Sequence, residues 1–333
     1  MLNHFPMSAS RRLSQLAGQT QSRSASTMKE AVVAKGPKVT IQDVPVPRAG
    51  PRQVVTKVVY SGSNPKDWKR GAMPDTQPKN QGDDISGIVH EVGENVSEFK
   101  PEGAAIPLAA LTAAVGLFAR LQLPPPFLPR PKDSEPLPLV IYGAASAVGS
   151  YAVQLASRAN IHPLLCVAGN GAAHVEKYID RSKGDTIVDY RNGNDALVKG
   201  LKEAAQGRKL EYAFDAVSEK GSVENLGQVL DQETARVTFV LPGKKFDLPG
   251  KMKQSVTTVG SVHGFPDDLK DFGYVYLRYI AKGLQDGWFK PQPQEVIPGG
   301  LEGVEQGLRN LKEGKASAVK YVFKIEDTPG LSR

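Results

Sequence analysis

Two hydrophobic patterns divide the chain. From Met28 to Gly103 apolar residues come in short runs rich in β-branched side chains: Ala31–Ala34, Val39–Val44, Gln53–Tyr60 and Ile85–Val92. Turn residues separate them at Gly36-Pro37, Pro45–Pro51, Pro74-Asp75 and Gly93-Glu94-Asn95. This spacing predicts a small β-barrel or sandwich-like unit. The pattern then lengthens. Ala104–Leu123 is helical in composition, and Pro124–Pro138 is a proline-rich connection. Beyond it, predicted strands at Leu139–Tyr142, Pro163–Val167, Thr186–Asp189, Tyr212–Asp215, Ala235–Val240 and Val256–Val259 alternate with helices. The helices fall at Ser146–Asn160, Ala172–Arg181, Asp195–Ala205, Gly221–Asp231 and Asp267–Asp286. Repeated βα units with apolar strands predict an α/β fold of Rossmann type, a doubly wound parallel sheet covered on both faces. A helix at Leu301–Glu313 and a strand at Ala318–Ile325 end the chain, and no internal repeat is visible.

Composition narrows the function classes. A length of 333 residues allows one large or two ordinary domains, and 40% hydrophobic with 23% charged residues is that of a soluble globular protein. Of the formal charge of +7, Arg11, Arg12 and Arg23 lie in the first 27 residues. No basic run is interleaved with aromatics, so no nucleic-acid partner is expected, and the mild excess suits an anionic cofactor. Cys166 is the only cysteine, which excludes internal disulfides and a cysteine-based zinc cage. The most apolar stretch, Ala104–Ala119, contains Pro107 and meets Arg120, so it reads as a buried helix and no membrane span is expected. Residues 1–27 are rich in Ser, Gln and Arg and free of acids, the composition of a mitochondrial transit segment. They read equally as a tail ahead of a start at Met28, which leaves a cytoplasmic protein.

The sharpest local feature is Val140-Ile141-Tyr142-Gly143-Ala144-Ala145-Ser146-Ala147-Val148-Gly149, an apolar strand, a turn of small residues and an apolar helix. A helix N-terminus offers unpaired N–H groups and positive dipole to a pyrophosphate, and small residues let the backbone approach it. Other α/β proteins use such turns without a nucleotide; within a βαβ series a dinucleotide is the expected ligand. NAD sites place an acid after the second strand to hold the ribose 2′-hydroxyl. Here that position reads Cys166-Val167-Ala168-Gly169-Asn170, followed by Lys177, Arg181, Lys183 and Arg191. Absence of acid with base available points to NADPH, although most of these bases also fit a solvated face. None of the ten tyrosines has a lysine four residues later, there is no GxSxG elbow, and the five histidines are scattered.

The segments Ser61-Gly62-Ser63-Asn64-Pro65-Lys66-Asp67-Trp68-Lys69, Gly82–Gly93, Pro107–Leu117, Tyr142–Gly149, Asp189-Tyr190-Arg191 and Pro298–Gly303 together resemble a known family. The chain is similar to zinc-independent medium-chain dehydrogenase/reductases of the quinone oxidoreductase and enoyl reductase type, most of all to fungal trans-acting enoyl reductases of polyketide synthesis. The resemblance implies hydride transfer from NADPH to an enone, enoyl thioester or quinone. It also implies a GroES-like β domain at 28–103, a Rossmann domain at 104–286 and a segment, 287–333, returning to the β domain. Where zinc-dependent members carry metal ligands, this chain has Ser61-Gly62-Ser63 and Gly82-Asp83-Asp84, so no metal is expected. By resemblance Asn64, Lys69 and Thr112 belong to the catalytic cleft, although Asn64 also fits a turn before Pro65 and Thr112 a packed helix. Gly143, Ser146, Ala147, Val148 and Gly149 would form the pyrophosphate turn, with Asn170, Lys177 and Tyr190 toward the adenosine phosphate. In one place the chain departs from the family. Gly103 joins Ala104 directly, omitting strands that complete the barrel, so the β domain is expected to be incomplete. A catalytically impaired NADPH-binding protein, acting as sensor or partner, is the alternative. Monomer and homodimer both remain open.

Overall fold

The computed structural model of the protein describes residues 26–71, 73, 77–96, 108–241, 243 and 246–331. The Gly103–Ala104 junction and residues 1–25 of the transit-like stretch lie outside them. Strands β1 (Thr27–Ala34) and β2 (Lys38–Pro45) form an antiparallel hairpin. Its turn passes through Gly36 at φ +130°, a conformation closed to most side chains. Strand β3 (Val54–Gly62) leads into a short helix, α1 (Pro65–Gly71), and β4 (Asp84–Val92) pairs back antiparallel on β3. Helix α2 (Leu108–Ala114) continues into a π-helical turn at Val115–Arg120.

The alternating region then runs β5 (Leu139–Tyr142), α3 (Ala147–Arg158), β6 (Leu164–Ala168), α4 (Ala172–Val175), β7 (Thr186–Asp189) and α5 (Asn194–Ala205). It continues with β8 (Tyr212–Asp215), α6 (Ser222–Val229), β9 (Arg236–Phe239) and β10 (Lys253–Val256). These six strands are parallel, in the order β10-β9-β8-β5-β6-β7. The direction of winding reverses between β5 and β8, which opens a crevice at the carboxyl ends of the strands. Side chains alternate as strand geometry demands. Leu139 and Ile141 enter one apolar cluster with α2 and α3, while Val140 and Tyr142 enter another with α5 and α6.

The chain closes with α7 (Lys270–Asp286), β11 (Gln294–Val296), α8 (Val304–Lys312) and β12 (Lys320–Lys324). Here the ends of the sequence meet. Strand β12 pairs antiparallel with β3, giving a second sheet in the order β11-β12-β3-β4. Two of its four strands therefore come from the C-terminal segment. Among the described residues no helix is long and apolar enough to cross a membrane.

Several expectations are corrected. The last strand of the parallel sheet is Lys253–Val256 rather than Val256–Val259, because its place is set by backbone pairing with β9. The helix expected over Ala172–Arg181 stops at Val175. Beyond it Asp180 caps the N–H of Ser182 (3.0 Å) and gives its own N–H to Asp185 (2.8 Å), local bonds that compete with helix. The long helix starts at Lys270 rather than Asp267, whose carboxylate is engaged by Arg120 and Ser261.

The π-helical turn sits against the parallel sheet without room for a methyl group. A Cβ on Gly116 would lie 2.0 Å from Cε2 of the buried Phe214 on β8. We expect Gly116→Ala to destabilise the protein by about 1–3 kcal/mol, the cost of overpacking a filled core. Urea denaturation reads this directly, and an unchanged midpoint would contradict the packing.

Candidate functional site

The turn from β5 to α3 is shaped by close approach. Gly143 has φ +76°, and the N–H of Ala144 bonds to Val167 O at 2.9 Å, tying the turn to β6. Ser146 caps α3, its Oγ accepting the N–H of Gly149 at 3.1 Å. A Cβ on Gly149 would fall 2.2 Å from Gly143 O, so any side chain there would force the helix off the turn. Ala147 and Val148 form the first turn of α3. Ala145 faces Gly171: a Cβ on that glycine would lie 2.5 Å from the Ala145 Cβ and 3.1 Å from that of Ala318. Gln292 donates to Ala145 O at 3.2 Å, while its own Oε1 is buried without a partner.

At the end of β6 the structure brings Asn170 and Tyr190 together. The Tyr190 ring is half exposed and covers Gly169, where a Cβ would be 2.7 Å from Cε1. Arg191, absent from the expected cofactor residues, joins them. Its guanidinium donates to Asn170 Oδ1 while its Nε bonds Asp189 at 2.9 Å. This pairing holds the Asp189 carboxyl down at about 2. The only signal for Arg191 in the sequence was its place beside Tyr190 among the basic residues. Lys177 is exposed, and no hydrogen bond among the described residues joins it to Asn170 or Tyr190. Arg181 pairs with Glu176 (2.6 Å) and Lys183 with Asn160 (2.9 Å), which makes both part of a solvated face.

The cleft residues divide into two groups. Asn64 is buried and donates from Nδ2 to Asp84 Oδ2 at 2.9 Å, while Lys320 Nζ donates to its Oδ1 at 3.2 Å. Lys320 and Asp84 form a buried ion pair. The other Asp84 oxygen accepts the N–H of Leu108, the first residue of α2. Thr112 is buried on that helix and donates to Leu108 O at 2.8 Å. Asn64 and Thr112 thus both hang on one carboxylate. Lys69 stands apart. Its ammonium reaches Glu219 Oε2, on the loop after β8, at 2.7 Å.

Asp84, Lys320 and Glu219 were missed as site residues. Asp84 figured in the sequence only as a position without a zinc ligand. The two places where zinc-dependent proteins carry ligands have other tasks: Ser63 donates to Tyr321 O (2.9 Å), and Asp83 pairs with Lys66 (2.6 Å). Among the described residues no group of three His, Cys, Asp or Glu could hold a metal ion.

Comparison with known proteins identifies relatives of the chain and of its fold. A family model described as an alcohol dehydrogenase GroES-like domain matches residues 50–111. The chain is 49% identical over 324 residues to the trans-enoyl reductase fsr4 of Gibberella fujikuroi, covering 85% of this chain and 95% of that protein. Those 324 aligned positions exceed 85% of 333 residues, so that relative carries residues without a counterpart here. The CurK enoyl reductase structure is similar in fold, with TM-score 0.68 at 15% identity over 88% of this chain and 98% of that one. So is the crotonyl-CoA carboxylase/reductase AntE in complex with NADP, with TM-score 0.66 at 14% identity over 91% and 96%.

Next to Asn64, Asp67 is a buried acid under opposing influences. Its Oδ2 accepts the Asn64 N–H at 2.7 Å, and Lys66 Nζ lies 2.9 Å from Oδ1 without hydrogen-bond alignment. Burial outweighs the pull of Lys66 and pushes the carboxyl up to about 6. A raised carboxyl means that the folded state binds a proton between about pH 4 and 6 that the unfolded chain has released, so stability falls as pH rises through that window. We expect Asp67→Asn to be the more stable protein at pH 7.5 by about 1–3 kcal/mol, an advantage that disappears at pH 4. Thermal melts at the two pH values test this, and equal melting temperatures at pH 7.5 would show that the ionised carboxylate carries no penalty.

Proposed function

We propose a reaction from the premise that this chain belongs to the fungal trans-enoyl reductases of the medium-chain dehydrogenase/reductase superfamily. The reaction is NADPH-dependent, metal-free reduction of the carbon–carbon double bond of an enoyl thioester. The observation that carries it is the Gly143–Gly149 turn, with no acid after β6 and Arg191 bonded to Asn170 instead. A dinucleotide fits here because the turn is built of small residues and runs directly into the start of α3, whose first N–H groups face a pyrophosphate. When bound, NADPH supplies a hydride for the β-carbon of the substrate.

The chain's own residues bind and orient. The turn backbone and the capped start of α3 receive the pyrophosphate. Arg191, Asn170 and Tyr190 hold the adenosine 2′-phosphate end, with Lys177 as a more distant charge. The Lys69 ammonium donates to the thioester oxygen and stabilises the negative charge that develops there, work done by zinc in metal-dependent relatives. The proton that completes the saturated product reaches the α-carbon from water. The Thr112 oxygen retains a lone pair for the nicotinamide carboxamide. Asn64, whose amide is engaged by Asp84 and Lys320, keeps the cleft in shape rather than taking part in the chemistry.

One observation favours a second reading, NADPH binding without turnover: the fsr4 alignment includes positions this chain lacks. The purified full chain, assayed for NADPH oxidation with a 2-enoyl N-acetylcysteamine thioester, separates the two. Turnover above background supports the reductase, and binding without turnover supports the second reading. By fluorescence titration NADH is expected to bind at least about tenfold more weakly than NADPH, a gap that Arg191→Met should narrow. Equal affinities in the unaltered protein would rule out the preference for NADPH.

A further inference from the structure

Glu219 sits on a loop whose backbone is unusual on both sides of it. Between β8 and α6 the chain passes through Ser218 at φ +57° and Lys220 at φ +56°, non-glycine residues in the left-handed region. Such conformations persist only where the surroundings impose them, and they gather at functional sites. Here the fully buried Asp215 imposes them. Its Oδ1 accepts the N–H groups of Val217 (2.9 Å) and Ser218 (2.8 Å), and its Oδ2 accepts the Ser222 hydroxyl (2.6 Å). Ser218 Oγ in turn accepts the N–H of Val240 at 3.0 Å, which fastens the loop to the end of β9. The same loop meets the dinucleotide turn: a Cβ on Gly143 would lie 2.5 Å from Val217 Cγ2.

What this rigid loop presents is a carboxylate at 2.7 Å from the Lys69 ammonium, with both side chains partly exposed at 28% and 35%. The neighbouring Lys66 is occupied elsewhere, by Asp83 and by Gln81 O. An ammonium has three donors, so one bond to Glu219 leaves two for a substrate oxygen. A lysine stem is flexible, and a fixed counter-charge confines its head to one place.

We propose that Glu219 is the positioning residue for Lys69, holding the ammonium where the thioester oxygen arrives. The proposal rests on the reading of Lys69 as the group that meets that oxygen. It gives a task to the carboxylate carried by a loop that Asp215 holds in place.

The test uses the full chain and the variants Glu219→Gln, Glu219→Asp, Lys69→Met and the double variant Lys69→Met/Glu219→Gln. Turnover of a 2-enoyl N-acetylcysteamine thioester and NADPH affinity are measured for each, and the rate at which the Lys69 amine is reductively methylated for the proteins that keep Lys69. Glu219→Gln should lower kcat about tenfold while NADPH affinity stays within about twofold, and the double variant should be no slower than Lys69→Met alone. Lys69 should be methylated several-fold faster in Glu219→Gln, and Glu219→Asp should recover part of kcat. An unchanged kcat in Glu219→Gln, or single effects that multiply in the double variant, overturns the proposal. So does an unchanged methylation rate, whatever the kinetics. Full activity in Lys69→Met would instead sink the role given to Lys69, a separate failure that the methylation rate distinguishes.

Discussion

The Asp84 carboxylate is the point on which the cleft depends. It takes the ammonium of Lys320 from β12, the amide of Asn64 from the end of β3 and the first N–H of α2. Three segments distant in sequence are thereby fixed to one buried charge. A buried ion pair recovers its desolvation cost only when its remaining lone pairs and protons are satisfied, and here each oxygen of the acid has a donor. Removing one partner from such a pair typically costs about 3–5 kcal/mol, because the other is left charged and unmatched. Gly62 is part of the arrangement, since a Cβ there would meet the Lys320 stem at 2.7 Å. Because Lys320 arrives on the last strand, the cleft is complete only when the C-terminal segment has paired with β3.

The two halves of the site use opposite physics. The proposed cofactor side is made by leaving side chains out: Gly143, Gly149, Gly169 and Gly171 let a valine, backbone, a tyrosine ring and alanine, respectively, approach closely. The substrate side is made by charge. Lys320 is neutralised within its pair and buried, so it supplies order and little field. Lys69, proposed as the donor to substrate, stays partly exposed and pairs with Glu219 at 2.7 Å. On the proposed mechanism Lys69 is the donor where negative charge develops, while the Asp84–Lys320 pair holds the frame.

Legibility in the sequence follows the same division. Strands β5, β7 and β8 were read residue for residue, because a parallel sheet covered on both faces leaves short, bounded apolar runs. Strand β10 was misplaced because its first residues, Lys253 and Gln254, are polar and exposed and leave no apolar run to mark its start. Strand β11 is exposed along its whole length, and α1 is a single short helix in a stretch to which no element was assigned. The dinucleotide turn was legible because its logic is local, contained within Gly143–Gly149. The partners of Asn64 and Lys69 were not, for Lys320 is 256 residues from Asn64 and Glu219 is 150 from Lys69. Resemblance to a family supplied Asn64, Lys69 and Thr112 as names; only the fold shows that Asn64 is engaged on both sides of its amide.

The anchoring of α2 bears on the direct junction of Gly103 with Ala104. Helix α2 begins at Leu108, and the group that receives its first N–H is Asp84, on the strand before the junction. A carboxylate at a helix start satisfies an unpaired donor and carries favourable charge for the dipole, so it defines where the helix begins. Among the described residues the helix that carries Thr112 is therefore seated by β4 and, through Lys320, by β12. The residues that make this seat, Asp84, Lys320 and Leu108, all lie outside the stretch between β4 and α2. Lys69 is independent of the stretch as well, being carried on α1 and met by the loop after β8. Among the described residues the contacts of Asn64, Thr112 and Lys69 bypass the junction, which is the physical reason to favour the proposed reductase over a bare cofactor-binding fold.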